Sequence, residues 1–170
     1  MMRQISRTLG AVLLACGLAL AGYNGRQDAA AERASQTLVR CYTAPTVSDA
    51  QPDTTQGVLE LPTLGLTLPV QPTCTPSALQ NGPCRQFGSA AQGDLVVAGH
   101  NYRSQFGRLD RLCAGDAVVF TAGDAVYAYT VQTLRTVPPD TDLQGEAPLV
   151  LYTCTYSGAE RLAVFCDRPG

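Results

Sequence analysis

Lysine and tryptophan are absent from this 170-residue chain, histidine occurs once, and aromatic residues make up 6%. Without lysine the chain cannot form an internal Lys–Asn isopeptide bond, the staple of many surface adhesin and pilin domains. With no tryptophan and few aromatics, the 45% apolar fraction must fill a core with small aliphatic side chains. A single histidine has no metal-ligand companion, and the seven cysteines lack zinc-type Cys-x-x-Cys spacing. Paired-carboxylate sites and phosphate-binding Gly loops are missing too, so no metal and no cofactor is inferred. From Asn24 onward, 10 Arg face 14 Asp and Glu, which leaves a net charge near −4 and excludes a basic nucleic-acid footprint.

Long apolar runs are also lacking. Leu9–Ala21, preceded by Arg3 and Arg7, is short for a spanning helix, which needs about 20 residues. Residues 1–24 are nevertheless expected as an N-terminal signal anchor or signal peptide, with the positive charges keeping the N-terminus cytoplasmic and sending the remainder outside. Residues 25–55 are expected as a juxtamembrane helix over Gly25–Tyr42 and a Pro-, Ser- and Thr-containing linker. The globular part, 56–170, opens with alternation in Val58–Leu61 and Leu64–Val70, two strands each with one buried face. Further strands are predicted at Asp94–Gly99, Asp116–Thr121, Ala125–Val137, Leu149–Cys154 and Leu162–Cys166, and a short helix over Phe106–Leu112. The fold class is mostly β: a closed barrel of seven to eight strands with short helices, preceded by the N-terminal membrane-anchor helix. Cys74 and Cys84 bracket a Pro/Gly-rich loop and could be joined by a disulfide or remain free thiols. An odd cysteine count leaves at least one unpaired within a monomer.

The chemistry concentrates in Pro148–Arg168. Leu149–Thr153 and Leu162–Cys166 flank a Ser/Gly/Ala-rich centre, the pattern of an antiparallel hairpin. With the turn on Ser157–Gly158, Cys154 lies opposite Arg161, with Cβ atoms about 5 Å apart, an electropositive setting that favours thiolate. The same register puts Cys166 opposite Leu149, roughly 16 Å from Cys154 at ~3.3 Å per residue. A disulfide needs Cα atoms within ~7 Å, so Cys166 is a poor partner for Cys154, whereas Cys113 or another cysteine stays open as one. A thiolate nucleophile needs a base and proton donor, and His100, at the end of Asp94-Leu-Val-Val-Ala-Gly-His100, is the one histidine available.

Apolar run–Gly–His100, then Leu151-Tyr-Thr-Cys154, then Arg161 resembles the active-site pattern of sortases, cysteine transpeptidases of the Gram-positive cell surface. Gly57-Val-Leu-Glu-Leu-Pro62, Leu66-Thr-Leu-Pro-Val70, Phe106-Gly-Arg-Leu109 and Gly115-Asp-Ala-Val-Val-Phe-Thr121 fall in family order, so the likeness covers about residues 56 to 168. The resemblance implies a sortase barrel with Cys154 as nucleophile, His100 as acid and base, and Arg161 either stabilising the oxyanion or holding the substrate's backbone. It implies cleavage of an LPXTG-like sorting signal between Thr and Gly, and transfer of the surface protein to an amine of peptidoglycan or a pilin. It also implies a single-pass location in the cell membrane with the catalytic domain outside. The six-residue gap between Cys154 and Arg161 points to a class D-like or unassigned branch. Some sortases hold calcium near the substrate loop, where Asp140, Asp142 and Glu146 lie, but three acids in a surface loop are ordinarily just solvated. Leu61-Pro-Thr-Leu-Gly65 is no sorting signal itself, since Thr is not fourth. L,D-transpeptidases also pair Cys with His, but their Ser and Gly before the cysteine are replaced here by Tyr152-Thr153. A non-enzymatic alternative is a secreted, disulfide-stapled barrel that binds surface ligands, which requires Cys154 to be oxidised.

Overall fold

Leu59 and Leu61 are fully buried and alternate with the exposed Glu60, so β1 (Gly57–Leu61) turns one face inward. A 3-10 turn, Pro62–Leu64, ends at Gly65, whose φ of 61° is left-handed and favours glycine, and leads into β2 (Leu66–Val70). Next follow β3 (Cys84–Phe87), β4 (Leu95–Ala98), β5 (Ala117–Ala122), β6 (Ala125–Val137), β7 (Leu149–Cys154) and β8 (Arg161–Asp167). The computed structural model describes residues 2–43 and 56–169. The expected linker at 44–55 lies outside the described residues.

The strands form one sheet in the order β2-β1-β5-β6-β8-β7-β4-β3. Neighbours are antiparallel except β4 and β7, which run parallel. The end strands meet at a single bridge between Gln71 and Cys84, where the Gln71 N–H donates to the Pro83 carbonyl and the Arg85 N–H to the Gln71 carbonyl, both at 2.8 Å. The barrel is therefore nearly closed, and its seam is one bridge rather than a ladder. Inward side chains of all the long strands, among them Leu59, Val97, Phe120, Tyr129, Leu151 and Val164, make one core. A second cluster, Val96, Leu143, Val150, Ala163 and Phe165, lies outside the sheet under the β6–β7 connection, so β7 is covered on both faces.

Two expectations change, and the alternative left open at Cys74 and Cys84 resolves to the disulfide. Cys74 and Cys84 are disulfide-bonded, with Cα atoms 5.1 Å apart. Their loop carries a helix, α2 (Pro76–Asn81), started by Thr75 Oγ1 accepting the Ala78 N–H at 3.1 Å and by Pro76 in the first turn. The Phe106–Leu112 segment buries Phe106, Leu109 and Leu112 as predicted, yet only Leu109–Arg111 is helical, as a 3-10 turn. The N–H groups of Leu109, Arg111 and Leu112 bond to the carbonyls of Phe106, Arg108 and Leu109, three residues back rather than the four of an α-helix.

The membrane-anchor helix finds no support in the structure. Residues Met2–Thr43 form one helix, α1, that runs through the expected boundary at residue 24. Among the described residues, no helix is long and apolar enough to cross a membrane. The apolar run Leu9–Ala21 reaches only about 20 Å at a rise of ~1.5 Å per residue, against a hydrocarbon core of about 30 Å. The later part of α1, the segment expected as a juxtamembrane helix, is helical and lies on the barrel, packing against β2 and α2 with Ala31 and Ser35 buried.

Candidate active site

The β7–β8 hairpin places Cys154 directly opposite Arg161 and Leu149 opposite Cys166, the register read from the sequence. The turn is held by Thr155: its N–H donates to the Glu160 carbonyl at 2.9 Å, and its carbonyl accepts from Gly158, whose φ is 71°. Arg161 Nη1 stands 4.0 Å from Cys154 Sγ. Arg161 is fixed from two sides, by Nε donating to the Pro139 carbonyl at 2.8 Å and by the Tyr152 ring 5.1 Å from its Cζ. Burial raises the pKa of the Tyr152 hydroxyl, with Arg161 opposing, so this ring faces the guanidinium as a neutral phenol.

His100 arrives through the parallel pair. Ala98 is registered with Tyr152, and the Gly99 N–H donates to the Tyr152 carbonyl at 3.0 Å, so the chain reaches His100 in step with Cys154. Gly99 is required there, because a Cβ would come within 2.5 Å of the Phe106 ring. The half-buried imidazole lies 4.8 Å from the Tyr102 ring, and burial lowers its pKa below the ordinary 6.5. Cys154 is exposed and free, whereas Cys166 is fully buried, with its thiol pushed up to about 12 by desolvation. The structure thus brings Cys154, His100 and Arg161 to one end of β4, β7 and β8.

Two concavities meet at this rung. A groove of about 260 Å³ includes Cys154, Asn101, Phe106 and Asp110 in its walls. Across Arg161, a concavity of about 340 Å³ lies between Phe87, Val96 and Tyr152 of the sheet and Pro139–Gln144 of the β6–β7 connection. A larger groove of about 810 Å³ separates α1 from β2, on the side of Arg103 and Arg108. Among the described residues, no group of three or more His, Cys, Asp or Glu side chains could hold a metal ion. Glu146 is paired with Arg135 at 3.3 Å, and Asp142 Oδ1 accepts the Gln144 N–H at 3.0 Å.

Sequence reasoning missed Gln105 and Tyr152. Gln105, fully buried, accepts the His100 N–H at 3.0 Å through Oε1 and donates to the Leu79 carbonyl at 3.1 Å through Nε2. A glutamine within a polar run carries no sign of this burial. Tyr152 was accessible from alternation, since Val150, Tyr152 and Cys154 share a strand face.

Fold and site together define a nearly closed β-barrel protein that presents a free thiol, an imidazole and a guanidinium at one end. The Sortase domain family model matches residues 59–169, and the chain belongs to the sortase family, whose members are cysteine transpeptidases. Solved structures agree on the fold. A Clostridium perfringens sortase D5 transpeptidase is 17% identical with a TM-score of 0.66, over 84% of this chain and 99% of that one. Streptococcus agalactiae sortase C1 is 23% identical with a TM-score of 0.63, over 89% and 98%. Listeria monocytogenes sortase A is 21% identical with a TM-score of 0.61, over 69% and 88%. No curated protein sequence matches the chain.

Proposed function

We propose that residues 56–170 form a catalytic domain that cleaves an LPXTG-like sorting signal between Thr and Gly at the Gram-positive cell surface. It transfers the severed surface protein to an amine acceptor of peptidoglycan or a pilin. Cys154 sulfur attacks the Thr carbonyl carbon, giving a tetrahedral oxyanion and then a thioester, and His100 protonates the departing amine. An incoming amine then takes the acyl group with His100 as base, and water is the slower substitute. Arg161 serves the oxyanion, because negative charge develops on that oxygen only in the transition state, where a fixed donor has most effect. The subclass is class D-like or unassigned, on the short gap between Cys154 and Arg161.

The observation that carries this reading is the placement of one free, exposed thiol opposite a braced guanidinium and in step with the chain's one imidazole. A disulfide-stapled binding barrel would need Cys154 oxidised, and Cys154 is unpaired. The test is intact-mass spectrometry of the full chain with a panel of Leu-Pro-x-Thr-Gly peptides. An acyl adduct is expected on wild type and on no Cys154→Ala sample, with cleavage abolished in His100→Ala. A reactive Cys154 that no panel peptide acylates would set this signal class aside.

A further inference from the structure

The groove that holds Cys154 has one charged side chain in its walls, Asp110. In the reading above, on which this inference rests, His100 protonates the leaving amine and deprotonates the entering one. Both amines therefore occupy the His100 side of the thioester. That side is the 260 Å³ groove, because Asn101, Phe106 and Gly107 of the loop that begins at His100 form its wall. The 340 Å³ concavity contains no residue of that loop. Its Phe87, Val96, Leu143 and Tyr152 suit the apolar part of a donor peptide, although Asp140 and Asp142 also line it.

An amine acceptor is a cation when it arrives, and it must approach a sulfur that already has a guanidinium 4.0 Å away. Like-charge repulsion then opposes binding unless a negative group lies on the approach side. Asp110 is exposed and, among the described residues, in no ion pair. Arg108 lines the α1 groove, and in the Cys154 groove Asp110 is the one charged side chain that an acceptor meets.

We propose that Asp110 selects a cationic primary amine as the acyl acceptor by holding its ammonium group in this groove. The ammonium releases one proton to solvent as it leaves Asp110, and its nitrogen attacks the thioester carbonyl carbon. The C–N bond forms as the C–S bond breaks, the second proton passes to His100, and the electron pair of the broken bond stays on the Cys154 sulfur.

The test uses the full chain and a donor peptide that acylates Cys154, and it measures the partition between aminolysis and hydrolysis in wild type and Asp110→Asn. Glycinamide is the cationic nucleophile and hydroxylamine the uncharged one. Asp110→Asn should form the acyl adduct at the wild-type rate. It should need about two- to fivefold more glycinamide for half-partition, the size of an exposed charge pair, and no more hydroxylamine. Asp110→Glu should keep the preference for glycinamide, which separates charge from folding. An unchanged glycinamide requirement, or an equal shift for both nucleophiles, overturns the assignment, as does loss of the adduct in Asp110→Asn alone. Absence of any adduct in wild type overturns the underlying reading instead.

Discussion

Gln105 Oε1 accepts the backbone N–H of His100 at 3.0 Å, while its Nε2 donates to the Leu79 carbonyl of α2 at 3.1 Å. The side chain is fully buried, so solvent cannot replace either partner. Gln105→Met keeps the volume but orphans one backbone donor and one acceptor, each worth about 1–3 kcal/mol. Thermal or urea unfolding should therefore show a loss of about 2–6 kcal/mol. kcat for peptide cleavage should fall with it, because the imidazole then rests on a looser loop.

The same hydrogen bond ties His100 to the Cys74–Cys84 disulfide, since Leu79 lies within the bridged loop. Closing a loop with a sequence separation of 10 removes chain entropy worth about 3 kcal/mol from the unfolded state. Reduction, or Cys74→Ala, should lower stability by about that amount in urea unfolding. It should also reduce cleavage at temperatures where the fold persists. Stability that is indifferent to reductant would mean the α2 loop is held without its bridge.

How legible these features are in the sequence follows from whether a period carries them. The Cys154–Arg161 rung can be read because period-2 runs flank a Ser-Gly turn, and one turn position fixes every pair down to Leu149–Cys166. Strand β3 is obscured because Cys84–Phe87 is short, polar and ends at an edge. Helix α2 did carry a signal, Thr75-Pro76 as cap and first residue, within a stretch whose Pro and Gly otherwise read as loop. The Phe106–Leu112 spacing identifies what is buried but misjudges the backbone, because apolar residues three apart suit the three-residue period of a 3-10 turn as well as an α-helix, and the bonds here run three residues back. At the N-terminus, helix formation was legible in outline. Its packing on the barrel was not, because burial of Ala31 and Ser35 leaves no apolar stripe.

His100 is the only histidine, so its imidazole resonances in an NMR titration need no assignment. Burial lowers its pKa, so the midpoint should fall below 6.5. The unfolded chain then binds this proton more tightly than the folded one. The corresponding stability is fully present above about pH 6.5 and is lost as pH falls through the folded value. An unshifted imidazole is about one-quarter protonated at pH 7, and His100 should be less so, which limits the supply of acid for the leaving amine. A midpoint above 6.5 would instead indicate that a negative partner outweighs desolvation.

Arg161 makes three contacts that depend on a planar guanidinium: Nε to the Pro139 carbonyl, Nη1 toward Cys154 Sγ, and Cζ over the Tyr152 ring. A lysine keeps the charge but has one compact ammonium, which cannot serve Pro139 and a developing oxyanion from one fixed orientation. Arg161→Lys should therefore lower kcat for acylation by about 10²–10³-fold, the cost of losing one oxyanion donor, with a smaller change in KM. Arg161→Ala should lose the contact to the β6–β7 connection as well and raise KM further. If Arg161→Lys changes only KM, the guanidinium holds the donor peptide in ground and transition states alike. Unaltered kcat and KM would remove Arg161 from the chemistry.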